Sequence, residues 1–543
     1  MSGLMPTMDQ REPNAVPDGA ARGATTAERA VRVLTLIAIA ITTIVLLVRL
    51  VTHVPFFDEA TGIHNLWMTA QGMRPGTDFF CFYPGLGYIL EAPYLRLFPD
   101  SAFVVYALRG LSLVLTLLIG LLFFVHGRRV AGDRAAGLIP FLLVIVAPGI
   151  SSYLVEYSVD HLAAVSAIGA LVLLLGMPAP TTTGAATALS VLSVMIMPKY
   201  ALILVCALAG NIIGRGLGLD RLRAHVVASF AAAGVTVLAV AALLHFEGIS
   251  LIDNIRQTHV LQYRYSSLTG YFGKDARGLG PLSAAVGGFL LANPVFGVIA
   301  ALGVVVWVRE ALLKKDRAAG GGWGILAGAA ASSFLVKGFL EQYLLPVLLG
   351  LALFAPYLFA AIRRPAMRQA ARIVLAAGAV AALALQCGTA AGDFRETTFN
   401  SRVSTEASRK LLGGVGMTAP APFYLYDYAQ LLQVVPKDET VVAVWPCHPL
   451  FRRDLTFVGV DDRPSFANAL ATDDLLQERF SPLLFRRELE ARPPAFLSLD
   501  WLEFNLPPGW PEEAERFLQR HHDRYVYYAL GMFSGYLRKD LVR

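Results

Sequence analysis

Acidic side chains fall in two places where apolar sequence gives way to polar. Asp58 and Glu59 stand side by side at the head of DEATGIHNLWMTAQGMRPGTDFFCFYPGLGYIL, and Glu156, Asp160 and His161 share the short stretch YLVEYSVDHLAA. Carboxylates and imidazoles move protons between oxygen atoms near neutral pH. Adjacent carboxylates also offer oxygen ligands to a hard divalent cation such as Mg or Mn, and Asp58 with Glu59 is the pair to hold one. The other reading is that such acids cap the first turn of a helix; a capped carboxylate is also a positioned one. Glu156 and Asp160 are four apart, hence on one helical face if a helix starts early.

Cationic candidates are more scattered. Lys199 lies in a short turn, and residues 246–282 carry Arg256, His259 and Arg264 among tyrosines. VKGFLEQYLLP sets Lys337, Gln342 and Tyr343 between two apolar runs. Phosphates and anionic head groups are natural ligands for such a basic, aromatic segment. A solvated loop is the alternative for 246–282, and an interface anchor the alternative for Lys199.

What must position these groups is a membrane domain. The chain has 543 residues, 55% apolar and only 16% charged, with a mean hydropathy of +0.55. Soluble domains carry about 25% charge, so a cytosolic globular enzyme and a disordered chain are excluded. Four cysteines exclude a disulfide-rich scaffold. After a polar tail over 1–32, a first span is expected at about 33–51. Ten more apolar runs follow to about residue 387, giving a polytopic all-α membrane domain over 33–388 with about eleven spans. Lys and Arg recur in alternate turns, including Arg128, Arg129, Arg221, Arg223, Lys314, Arg363 and Arg364. This positive-inside pattern puts the N-terminus in the cytoplasm. The net charge of +6 is then largely an orientation signal and needs no nucleic acid.

Three regions fall outside: the first outer loop 52–100, the loop 246–282, and residues 389–543. Amphipathic segments in the first of these read as helices on the membrane surface. The last region has strand-like runs at 440–445 and 495–499 and a helical pattern after Trp510, PEEAERFLQRHHDRYVYYAL, so an extracytoplasmic α/β domain is expected. Cys387 and Cys447 are both placed outside and could bridge in an oxidising compartment.

Taken together, the chain resembles the GT-C superfamily of integral-membrane glycosyltransferases. Asp58-Glu59 with GMRPGTDFFCFYPGLGYIL resembles the G-x-x-P-Y-x-D-F…P-P-x-x-Y stretch of bacterial members, and QYLLP at 342–346 is similar to the R-Y-L-L-P of the protein-mannosyltransferase and aminoarabinose-transferase branches. Gln342 replaces that arginine, and Tyr83-Pro84-Gly85 replaces the Lys-Pro-Pro of the aminoarabinose branch, so no branch is assigned. The resemblance implies an inverting enzyme that moves a sugar from a polyprenyl-phosphate donor to a hydroxyl of a glycan, lipid or protein of the cell envelope. It implies Asp58 as catalytic base, supported by Asp160 or Glu156, and a cation near the last outer turns, Lys337, gripping the lipid phosphate together with Arg256 or Arg264. Tyr83, His259, Gln342 and Tyr343 are the candidates for substrate contact. The location implied is a bacterial inner membrane with the C-terminal domain periplasmic. A polymerase or ligase acting on a lipid-linked glycan is the near alternative. A secondary transporter fits less well, because the acids cluster at span ends and no inverted repeat is visible.

Overall fold

The chain is described by a computed structural model. It describes residues 18–52, 57–81, 83, 85–98, 100–132, 134–146, 153–176, 179–214, 219–256, 288–291, 293–314, 319–335, 341–362, 364, 366–374, parts of 377–388, 421–444, 447–456, 470, 474–499, 502, 506, 508–530 and 533–542.

Apolar runs become helices because a backbone in lipid must satisfy its own polar groups. The first is α1, Asp18–Thr52, whose apolar stretch is Leu36–Leu50. It begins well before the expected first span. The Ala, Arg and Glu of AARGATTAERAVR are good helix formers, so part of the expected tail is helical. Next come α2 (Phe57–Ala70) and α3 (Gly85–Leu95), both within residues 52–100. The helices α4 (Val104–Ala131), α5 (Arg134–Val146), α6 (Asp160–Leu174), α7 (Pro180–Ile196), α8 (Ala201–Gly214) and α9 (Leu219–Phe246) follow. The set closes with α10 (Pro294–Lys314), α11 (Gly320–Leu335), α12 (Glu341–Ala352) and α13 (Ala355–Ala361). Three segments among the described residues, Val104–Ala131, Leu219–Phe246 and Pro294–Leu313, are long and apolar enough to cross a membrane unaided. Shorter apolar helices such as Asp160–Leu174 and Pro180–Ile196 lie among them, which is why counting runs gives a larger number.

Between α2 and α3 the motif GMRPGTD folds into a compact turn. Gly72 and Gly76 take φ of 84° and 74°, values that favour glycine. Arg74 donates to Asp78 from its backbone N–H at 2.8 Å and from its guanidinium at 2.8 Å. The turn thus returns the chain so that α3 packs beside α2. A Cβ on Gly87 would lie 2.9 Å from Val159, so this glycine lets α3 approach the turn before α6.

The C-terminal region adds α14 (Ala421–Val434), β1 (Thr440–Val442), β2 (Arg453–Asp454), α15 (Pro482–Ala491), β3 (Phe496–Leu497), α16 (Trp510–Arg520), β4 (Tyr525–Leu530) and β5 (Phe533–Arg538). The strands form one sheet in the order β2-β1-β3-β5-β4. Its β2-β1-β3 half is parallel, β3 pairs antiparallel with β5, and β4-β5 is a hairpin. Both expected strands are present. The expected helix after Trp510 stops at Arg520, and YVYYAL is β4 instead. Tyr and Val suit a half-buried strand, and the polar turn at 521–524 separates the two elements. The sheet has its own apolar core, including Val442, Leu497, Phe485, Phe517 and Trp510. Other residues of the region, Tyr428, Val441, Phe451 and Phe533, join the core of the membrane helices. The two parts are packed together.

Candidate active site

The first turn of α2, the body of α3 and the turn at 153–159 enclose a small cleft lined by Glu59, Gly62, Tyr83, Tyr88, Tyr153, Glu156, Tyr157 and Ser158. Asp58 belongs to the same first turn of α2. One acid of each cluster singled out in the sequence, Glu59 and Glu156, therefore lines the same cleft, although about 100 residues of chain separate them.

Glu59 is not a free carboxylate. It is buried, and Arg109 of α4 grips both its oxygens, from Nε at 2.8 Å and from Nη2 at 2.6 Å. The Tyr157 backbone N–H donates to the same carboxylate at 2.9 Å, and Arg109 Nη1 donates to the Leu50 carbonyl at 2.9 Å. This bidentate pair ties α1, α2, α4 and the turn before α6 together. A divalent cation shared by Asp58 and Glu59 does not fit, because the guanidinium already supplies the positive charge at Glu59. Glu59, expected as a catalytic or metal-binding group, is instead half of a buried ion pair. Arg109 was visible as a lone charge inside an apolar run, and such a charge needs a buried partner.

Asp160 opens α6 and accepts from Lys199 at 2.5 Å. The Tyr153 hydroxyl also donates to it, while its Oδ1 makes no hydrogen bond among the described residues. Lys199 lies over the Tyr153 and Tyr200 rings at 5.7 and 5.9 Å. The structure therefore joins Asp160 and Lys199, one of the cationic candidates, in a pair. His161 is buried, its Nδ1 donating to the Ser158 carbonyl at 2.9 Å. Glu156 lies in the turn ahead of α6, so it does not share a helical face with Asp160. It lines the cleft instead, within electrostatic reach of Arg109.

One acid was missed. Glu91 of α3 is buried and accepts from the Tyr157 hydroxyl at 2.6 Å. Burial pushes its carboxyl up to about 8, against the weaker opposing effect of the tyrosine bond. The signal was an acid alone in the apolar run GYILEAPYL.

Of the other candidates, Tyr83 is half-buried at the cleft and Arg256 is exposed, not among the residues lining it. Gln342 and Tyr343 belong to the first turn of α12, and their side chains, like that of Asp58, lie outside the described residues. His259, Arg264 and Lys337 lie outside them altogether. No disulfide joins Cys387 and Cys447, so the expected bridge is not formed. Cys447 is instead buried in the apolar core, near Tyr428.

The architecture has a solved counterpart. The crystal structure of ArnT from Cupriavidus metallidurans bound to undecaprenyl phosphate matches 93% of this chain and 97% of its own, at 15% identity and a TM-score of 0.53. The fold is that of this ArnT. The apo form of the same ArnT is also similar, over 74% of this chain and 69% of that one, at 15% identity and a TM-score of 0.44. No family model and no curated protein matches the sequence.

Proposed function

We propose that the chain is an inverting membrane glycosyltransferase acting on a polyprenyl-phosphate-linked sugar at the outer face of a bacterial inner membrane. The observation that carries this reading is the meeting of Glu59 and Glu156, one acid from each cluster, at one cleft, within a fold shared along nearly its whole length with an ArnT bound to undecaprenyl phosphate. About eleven spans, a cytoplasmic N-terminus and a periplasmic C-terminal domain complete the proposal, supported by the positive-inside charge pattern.

In this mechanism Asp58 accepts the proton of the acceptor hydroxyl as its oxygen attacks the anomeric carbon. The bond from that carbon to the phosphate oxygen breaks, the electron pair leaves with the lipid phosphate, and a single displacement inverts the centre. Cations drawn from Arg256, Arg264 and Lys337 stabilise the leaving phosphate by charge-assisted hydrogen bonds. Glu59, fixed by Arg109, holds the turn that carries Asp58. Asp160, paired with Lys199, holds the Tyr153 hydroxyl of the cleft wall. The acceptor is a hydroxyl of an envelope glycan, lipid or protein.

The test is transfer from an undecaprenyl-phosphate sugar by the purified full-length protein. Asp58→Asn should lower turnover by roughly a hundredfold or more, with donor binding and melting temperature unchanged. Near-normal turnover in that variant overturns the assignment of the base.

A further inference from the structure

Away from the cleft, a second polar cluster is buried where the first outer loop meets the C-terminal sheet. His64 of α2, His448 just beyond β1 and Asp454 of β2 each bring a ligating nitrogen or oxygen within 4.8 Å of the others, and all three are buried. The imidazole rings meet with centroids 4.3 Å apart, and His448 Nε2 lies 3.6 Å from Asp454 Oδ2. His64 Nδ1 donates to the Leu450 carbonyl at 2.6 Å. That bond fixes the neutral tautomer and leaves the Nε2 lone pair, which makes no hydrogen bond among the described residues. Asp454 is oriented by Thr456, which donates from its backbone at 2.9 Å and its hydroxyl at 2.7 Å.

Two imidazoles and a carboxylate are the ligand chemistry of a borderline-soft divalent ion, and outer hydrogen bonds that set ring and carboxylate orientation accompany such sites. We propose that His64, His448 and Asp454 form a site for a divalent transition metal, zinc by its ligand set, which ties the first outer loop to the C-terminal sheet. It stands independently of the transferase reading. The ion takes Nε2 of each histidine and a carboxylate oxygen, with water in the fourth position. At ordinary zinc–ligand lengths it draws the ligand atoms to about 3.3 Å from one another.

One adjustment is needed. His448 Nδ1 accepts from the Leu450 N–H at 2.9 Å, so its neutral ring carries the proton on Nε2. Leu450 is the non-glycine residue of positive φ among those described, at 58°. A half-turn of the Pro449–Leu450 peptide brings that φ to about −120°, an ordinary extended value. It also presents the Pro449 carbonyl to His448 Nδ1 in place of the N–H, at the loss of the bond that carbonyl accepts from the Phe451 N–H at 2.6 Å. The ring proton then moves to Nδ1, Nε2 is freed for the ion, and no net proton is released.

The test uses the full-length protein in detergent, stripped with a chelator, reloaded with Zn(II) or Co(II) and desalted. Elemental analysis should find about one zinc per chain, and cobalt should give the visible bands of a four-coordinate ion. His64→Ala and Asp454→Asn should each lower affinity by at least about tenfold, while His522→Ala, at an exposed position, should retain the full equivalent. Asp454→Asn keeps the size of the side chain, so the test survives if His64→Ala fails to fold. Retention of no zinc by the parent protein, or equal retention by parent and Asp454→Asn, overturns the proposal.

Discussion

At the residue scale, Glu59 and Arg109 carry the most consequence per atom, since both side chains are fully buried and answer each other's charge. Replacing Glu59 by Ala leaves a guanidinium in the interior, and removing one partner of such a pair costs roughly 3–5 kcal/mol. Thermal unfolding in detergent should show a large fall for Glu59→Ala, and an unchanged midpoint would contradict the pairing. Glu91 gives the opposite dependence on charge. Its carboxyl titrates at about 8 in the fold, against an ordinary value of 4.5, because burial favours the protonated form. The folded protein therefore holds this proton over an interval in which the unfolded chain has released it. The corresponding stability is complete below about 4.5 and is lost as pH rises through about 8. Glu91→Gln should remove that decline, so melting curves measured from pH 5 to 8.5 should diverge between parent and variant; parallel curves would refute it. The acids of the two clusters were legible as chemistry. Glu91 was not, because an acid inside an apolar run is obscured by its neighbours in any hydropathy count.

At the element scale, helix α11 shows how little an apolar run says about fit. α8 and α11 pack backbone against backbone, through Gly210, Gly320, Gly324 and Gly328. A Cβ on Gly324 would lie 2.1 Å from the Cys206 carbonyl oxygen, which is rigid backbone. Small residues at membrane helix interfaces allow this approach, and dispersion then holds the helices together. Gly324→Ala should lower stability by about 1–3 kcal/mol through overpacking. Gly234→Ala, in α9 with open space around it, should be neutral or slightly stabilising. Equal melting temperatures for the two variants would refute the packing argument. The apolar runs at about 199–214 and 322–337 lie within two residues of α8 and α11. Such runs could not separate the end of α16 from the start of β4, because Tyr525 continues a helical apolar pattern until strand pairing with Arg538 claims it.

At the scale of the whole molecule, the seam between membrane helices and C-terminal sheet is built from contacts remote in sequence. Arg479 reaches the Gly76 carbonyl at 3.0 Å and Asp253 at 3.7 Å, and Lys437 pairs with Asp100 at 3.2 Å. These partly exposed pairs contribute little energy each; the apolar core shared across the seam, with Val441 and Phe451 beside the membrane residues, does more. Sequence by itself determined what depends on neighbouring residues and on solvent. The apolar runs, the alternation of basic turns, the two acidic segments and the α/β character of the last region all follow from local periodicity and transfer free energy. Tertiary structure decided which charges meet. Glu59 finds Arg109, Asp160 finds Lys199, and His64 finds the Leu450 carbonyl across a separation of 386 residues. No spacing rule reaches that far, because the partner of a buried charge is set by which helices pack side by side.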